Sequence, residues 1–232
     1  FDTVVISGAE QTIQSLWELT STQHGWAMSS ALWGMVAGSF IGGWPTDRLG
    51  RKKTLQLIGA LFFVSAVWSA LAGDVYAFSL ARILGGLGVG ISTVASPLYI
   101  SEISPPKLRW RLAGMFQFNI VFGILIAFLS NYLIGSWVEE HAWRWMLGVE
   151  AAPALLYTIC CLVIPESPRW LIAKRDDRAG AVEILAQVNP DSNEAEVAAL
   201  ADEIEQAHAT TEVETKVGGF FSARLRTPIL LA

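Results

Sequence analysis

An all-α, polytopic membrane protein is the fold class that the sequence predicts, and three observations predict it. Of the 232 residues, 53% are hydrophobic and 16% charged, with a mean hydropathy of +0.43, whereas soluble domains carry roughly 25% charged residues. Five apolar runs, residues 25–44, 55–72, 75–99, 112–134 and 143–164, approach or exceed the roughly 20 residues of helix that cross a bilayer core. The basic residues, finally, crowd into every second connection between those runs. The acidic excess behind the net charge of −5 is just as uneven, since 11 of the 21 acidic residues lie between Asp176 and Glu214.

The elements follow in order. FDTVVISGA opens an apolar stretch, residues 1–16, about half a span long. It lacks a starting Met and a basic flank, so it reads as a truncated first transmembrane helix and not as a signal peptide. The second run, 25–44, leads through GGWPTDRLGRKK into the third, 55–72; in that short link Gly43 is expected to let the helices approach, Asp47 to cap or pair, and Gly50 to allow the reversal. The fourth run, 75–99, carries RILGGLGVG, which sets Gly86 and Gly90 four apart on one helical stripe where a neighbour can come close. PLYISEISPPKLRWRL then ends that helix at Pro105-Pro106. The fifth run, 112–134, contains MFQFNIVFG; the sixth, 143–164, opens on WRWMLGVE and is followed at once by PESPRWL. These runs make a bundle over residues 1–164.

Beyond it, residues 165–225 read as a linker with short amphipathic helices. Val182, Leu185 and Val188, then Val197, Leu200 and Ile204, recur at helical spacing on either side of NPDSN. Two uses of these helices stay open, packing against other helices or a solvated spacer. Residues 226–232 begin another apolar run that reads as a truncated seventh transmembrane helix.

Arg48, Arg51, Lys52 and Lys53 stand in one connection, Lys107, Arg109 and Arg111 in the next but one, and Arg169, Lys174, Arg175 and Arg178 after the sixth run. The connections ELTSTQH, AGD and GSWVEEHA hold neither Lys nor Arg, so the basic ends are expected in the cytoplasm. The acidic surface of the linker argues against nucleic acid or anionic lipid as its partner. Cys160 and Cys161 are adjacent in an apolar run and read as reduced packing residues. His24, His141 and His208 have no metal-ligand spacing, and neither a phosphate-cradling loop nor a catalytic triad is present in the pattern. No cofactor, metal or enzymatic activity is expected.

The sharpest functional candidates are ionisable residues inside spans, each costly in hydrocarbon unless paired or hydrated. They are Asp2 in the first run, Arg82 in the fourth and Glu150 in the sixth, with Glu10 nearer an aqueous end. Desolvation disfavours a charged carboxylate and a nearby guanidinium favours it; Asp2 can therefore take up and release a proton if Arg82 approaches it in one conformation and Glu150 in another. A static ion pair that sets helix packing is the alternative. Arg144, in WRWM, sits at an aromatic boundary from which it can reach headgroups. Gln117 is the best ligand for a hydroxyl, because an amide both donates and accepts; an interhelical hydrogen bond is its other use. Asn119, about 200° further round the helix, cannot share its cavity.

The spacing in GGWPTDRLGRKK resembles the cytoplasmic signature of the major facilitator superfamily. Together with RILGGLGVG, PLYISE and PESPRWL in this order, it is similar to the sugar porter family. The resemblance covers essentially the whole chain but only the first half of such a transporter. It implies a six-helix N-terminal bundle, a missing C-terminal six-helix half, and substrate binding near the midplane between the two. In bacterial proton-coupled symporters of xylose type an Asp, an Arg and a Glu occupy the positions of Asp2, Arg82 and Glu150, which implies proton coupling by these three. Gln117 matches a substrate-contacting Gln. Gly43, Asp47, Arg48, Gly50, Arg51, Glu102, Arg109, Glu166 and Arg169 match the gating motifs. The implied partners are a small-molecule sugar, a proton and the lipid bilayer. The sequence departs from the family at Ile124, where xylose-type symporters have a second Gln, and at Pro45 and Trp110 within the gating signatures. The implied function is sugar transport, with proton symport, facilitation, and a half-length sensor or scaffold as readings to be separated. The implied location is a bacterial inner membrane.

Overall fold

The computed structural model describes residues 2–105, 108–138, 141–190 and 192–217; the side chains of 2, 3, 109, 113 and 210–217 lie outside that description. The expected seventh helix falls outside it as well. All regular structure among the described residues is helical, and the chain divides after Glu166 into two units.

In the first unit, α1 (Asp2–Val5), a 3-10 turn (Ile6–Gly8) and α2 (Glu10–Leu16) form an interrupted first element. Then come α3 (Ser21–Ile41), α4 (Gly43–Leu49), α5 (Arg51–Leu71), α6 (Val75–Ile103), α7 (Arg109–Trp137), α8 (Ala142–Gly148) and α9 (Ala151–Val163). Local chemistry sets where they begin. Thr20 and Gln23 form a reciprocal capping box ahead of α3, and the Asp74 carboxylate accepts from the Tyr76 and Ala77 amides to start α6.

Among the described residues, four stretches are long and apolar enough to cross a membrane: Arg51–Leu71, Val75–Ile103, Trp110–Trp137 and Ala142–Val163. The run at 25–44 is not among them, although α3 is 21 residues long. Serines, glycines and tryptophans dilute its hydropathy, but its hydroxyls are internally satisfied: Ser30 donates to the Ala27 carbonyl at 2.7 Å and Ser39 to that of Met35 at 2.9 Å.

Backbone proximity holds α3 against α6. A Cβ added at Gly86 would lie 2.0 Å from the Ala31 carbonyl oxygen, and one at Gly34 would lie 2.2 Å from that of Ile83; no side chain fits between these helices. The expected approach at Gly43 is not found, since a Cβ there would meet open space. Helix α4 has turned Gly43 away from α6, and the contact belongs to its neighbour Gly42, where a Cβ would lie 3.2 Å from the Ile91 Cα.

Two apolar cores fill the bundle. At the end whose connections lack Lys and Arg, Val5, Ile13, Phe78, Trp143 and Leu147 pack together, with Trp17 edge-on to Phe78 and Trp143. Towards the other end, Leu55, Ile58, Ile91, Ala95 and Cys161 join α5, α6 and α9. Helix α7 leaves much of its apolar surface uncovered, including Phe118, Val121, Leu125 and Phe128, as expected of a helix facing lipid or another bundle. Arg144 donates to the Ala70 carbonyl at 2.7 Å and lies over Trp143. It therefore closes the end of α5, a use that the headgroup expectation did not foresee.

In the second unit, Ser167 caps α10 (Pro168–Trp170), which runs into a π-helical turn at Leu171–Arg175. Helices α11 (Arg178–Val188) and α12 (Glu194–Val217) pack through Leu185, Val197 and Ala201, flanked by Val182, Leu200 and Ile204. These two helices pack on each other. Arg178 pairs with Asp202 and, at 3.6 Å, with Glu205. The hydrogen bond and charge of Asp202 hold the guanidinium pKa above its usual value, but exposure leaves such pairs little energetic weight.

Candidate functional site

Several of the residues expected to gate converge on one guanidinium at the basic end of the bundle. Gly50, with φ of 94°, adopts a left-handed conformation that disfavours a side chain, and this reversal sets Arg51 at the start of α5. Arg51 reaches Glu102 on α6 through two parallel bonds, Nε to Oε2 at 2.8 Å and Nη2 to Oε1 at 2.9 Å. Its Nη1 donates to the Thr46 carbonyl at 3.2 Å and to Asp47 at 3.4 Å. Such a fork-to-fork pair is directional as well as strong.

Glu166 completes the cluster from the far end of the first unit. Its Oε1 accepts from the Arg51 backbone N–H at 2.9 Å and from that of Lys52 at 3.0 Å. A carboxylate so placed satisfies two orphan donors and opposes the positive end of the helix dipole. Tyr99 adds a bond from its hydroxyl to the Pro165 carbonyl at 2.9 Å. Asp47, Gly50, Arg51, Glu102 and Glu166 are thus assembled. Arg48 stands apart, its guanidinium 5.4 Å from the centre of the Trp44 ring. Arg169 is exposed within the second unit, and the Arg109 side chain lies outside the described residues.

Deep in the bundle, Arg82 is the largest fully buried side chain among the described residues, 1% exposed. Its Nη1 lies 4.0 Å from Oε2 of Glu150, itself 4% exposed. Helix α6 carries Arg82, and a break in the sixth span carries Glu150. Pro153 has no N–H to offer the Val149 carbonyl, which accepts from Ala152 at 3.2 Å instead, while the Glu150 N–H turns to Leu147 at 3.3 Å. A residue at such a kink projects its side chain differently from one within a regular turn. The Asp2 backbone begins α1, and its side chain lies outside the described residues.

A cavity of about 480 Å³ opens beside this pair, with Phe62, Ser92, Thr93, Asn119, Glu150 and Tyr157 among its lining. Ile124 also faces it, whereas Gln117 is exposed and is absent from the lining. The opposition of Gln117 and Asn119 across α7 agrees with the helical geometry, and it is Asn119 that borders the open cavity. Sequence reasoning missed Asn131: its Nδ2 donates to the Val5 carbonyl at 2.9 Å across 126 residues. The signal was available as a third amide, after Gln117 and Asn119, within one apolar run.

The family model described as "Sugar (and other) transporter" matches residues 3–232. The glucose transport protein of Synechocystis is 44% identical over 193 residues, covering 78% of this chain and 41% of that protein. The arabinose-proton symporter of Bacillus subtilis is 38% identical over 194 residues, covering 82% and 42%. Among solved structures, a proton:xylose symporter of the major facilitator superfamily, bound to 6-bromo-6-deoxy-D-glucose, superposes with a TM-score of 0.86 at 32% identity; the match covers 94% of this chain and 51% of the other. The chain therefore spans about two fifths of the length of these curated relatives and half of the solved one.

Proposed function

The chain belongs to the sugar (and other) transporter family, and from that premise we propose that it forms the N-terminal bundle of a secondary transporter that moves a monosaccharide with a proton by alternating access. The observation that carries the coupling is the buried approach of Arg82 to Glu150 at a broken span. Ionisable groups so deep in a membrane bundle are costly, and proton relays are a recurring use of them. Asp2 takes the proton. Arg82, exchanging between Asp2 and Glu150, transmits its occupancy to the bundle, because protonating Asp2 removes the charge that competes with Glu150 for the guanidinium. The names of the glucose, arabinose-proton and proton:xylose relatives support a monosaccharide and a proton as cargo.

Gln117 contacts the sugar from the face of α7 that the bundle leaves exposed, in keeping with a site shared with a second bundle. Ile124 replaces a polar contact of xylose-type symporters with an alkyl group and favours a different sugar. The cluster around Arg51 is a gate: Arg51 with Glu102 and Glu166 locks α5, α6 and the end of the sixth span while the basic, cytoplasmic side is closed. The protein resides in a bacterial inner membrane.

Reconstitution of the transporter in pH-clamped vesicles tests this reading. An imposed sugar gradient should drive proton movement in the same direction. Sugar flux without a pH change would assign facilitation instead, and the absence of flux would remove transport altogether.

A further inference from the structure

The interruption of the first span has a cause outside that span. In a continuous helix the Ala9 N–H would donate to the Val5 carbonyl four residues back. Here it donates to Ile6 at 2.9 Å, and the Val5 carbonyl, in a residue with no exposed surface, accepts from Nδ2 of Asn131 at 2.9 Å. Asn131 is 8% exposed, and its Oδ1 has no hydrogen-bond partner among the described residues. The amide occupies the space that a side chain at position 8 would need: a Cβ on Gly8 would fall 2.6 Å from Nδ2 and 2.7 Å from Cγ.

We propose that Asn131 is a positioning residue that clamps the first span in its broken form. The Asn131 amide supports the Val5 carbonyl beside the 3-10 turn when the span is broken, and the Ala9 N–H takes that carbonyl when the span is continuous. The exchange is a two-state step, and it ties the angle between α1 and α2 to α7. Because Asp2 lies one turn before Val5, the same step sets how the proton-binding end of the span is presented. That last link rests on the symport reading; the clamp itself does not.

Spin labels at Ser15 and Ser136, both exposed near the far ends of α2 and α7, read the break directly in the intact transporter in nanodiscs. Asn131→Leu, which removes the donor, should shift the ratio of two distance populations by about fivefold to tenfold, the equivalent of one net hydrogen bond. Asn131→Asp, closer in shape and safer for folding, should make that ratio pH-dependent, since only the protonated acid donates. Identical distance distributions in wild type and both variants overturn the clamp, whatever transport does. In vesicles, Gly8→Ala and Asn131→Ala should each move the pH midpoint of sugar-driven proton uptake, and the double variant should be no worse than the more severe single one. Multiplied effects in the double variant would mean independent damage and would overturn the proposal. A wild-type protein without proton movement would sink the symport reading and leave the distance experiment standing.

Discussion

At the residue scale, the proposed gate turns on Glu166 as much as on Arg51. One carboxylate oxygen holds two backbone amides at the start of α5, while Arg51 carries the bidentate bond to Glu102. Glu166→Gln keeps the shape and removes the charge. It should lower thermal stability by about 1 kcal/mol, the typical weight of a charge at a helix N-terminus, and favour the conformation open on that side, seen as faster thiol labelling of the basic end. Unchanged melting and labelling would contradict the role. The sequence motifs singled out Glu166 as a candidate, but its backbone contact was not legible, because it joins positions 115 apart. The exchange of Gly42 for Gly43 as the residue of close approach is a one-residue register set by α4, which spacing alone does not determine.

At the element scale, the first and sixth apolar runs are both broken among the described residues, and each break has buried polar chemistry beside it. Pro153 accounts for the one beside Glu150. Restoring the donor with Pro153→Ala should straighten the α8–α9 junction and draw Glu150 away from Arg82. Sugar-driven proton movement should then fall by tenfold or so, a cost of about 1.4 kcal/mol in coupling, with little loss of stability because a helix gains a hydrogen bond. Retained coupling in a straightened span would show that the kink is incidental. The proline was visible in the sequence, and so was each apolar run; the consequence of the proline for Glu150 was not drawn. The break in the first span depends on Asn131, far along the chain, and no local pattern at Val5–Gly8 reveals it.

At the scale of the whole molecule, the four apolar spans between Arg51 and Val163 were legible, because crossing a bilayer imposes length and hydropathy on composition. The approach of Arg82 to Glu150 was expected from the charges within the spans; the cavity beside them was not, since it arises from packing among four elements. A bundle corresponding to half of its relatives, with Gln117 exposed, should bind sugar at least tenfold more weakly alone than within the complete transporter, if the site needs contacts from both halves. Calorimetry on the two preparations checks this, and equal affinities would place the sugar site within this bundle. The central claim is that Asp2 couples the sugar to a proton. Its most direct test compares wild type with Asp2→Asn in pH-clamped vesicles, recording sugar counterflow and sugar-driven proton uptake together. The account predicts that the variant retains counterflow and loses proton uptake; proton uptake that persists beside normal counterflow would contradict it.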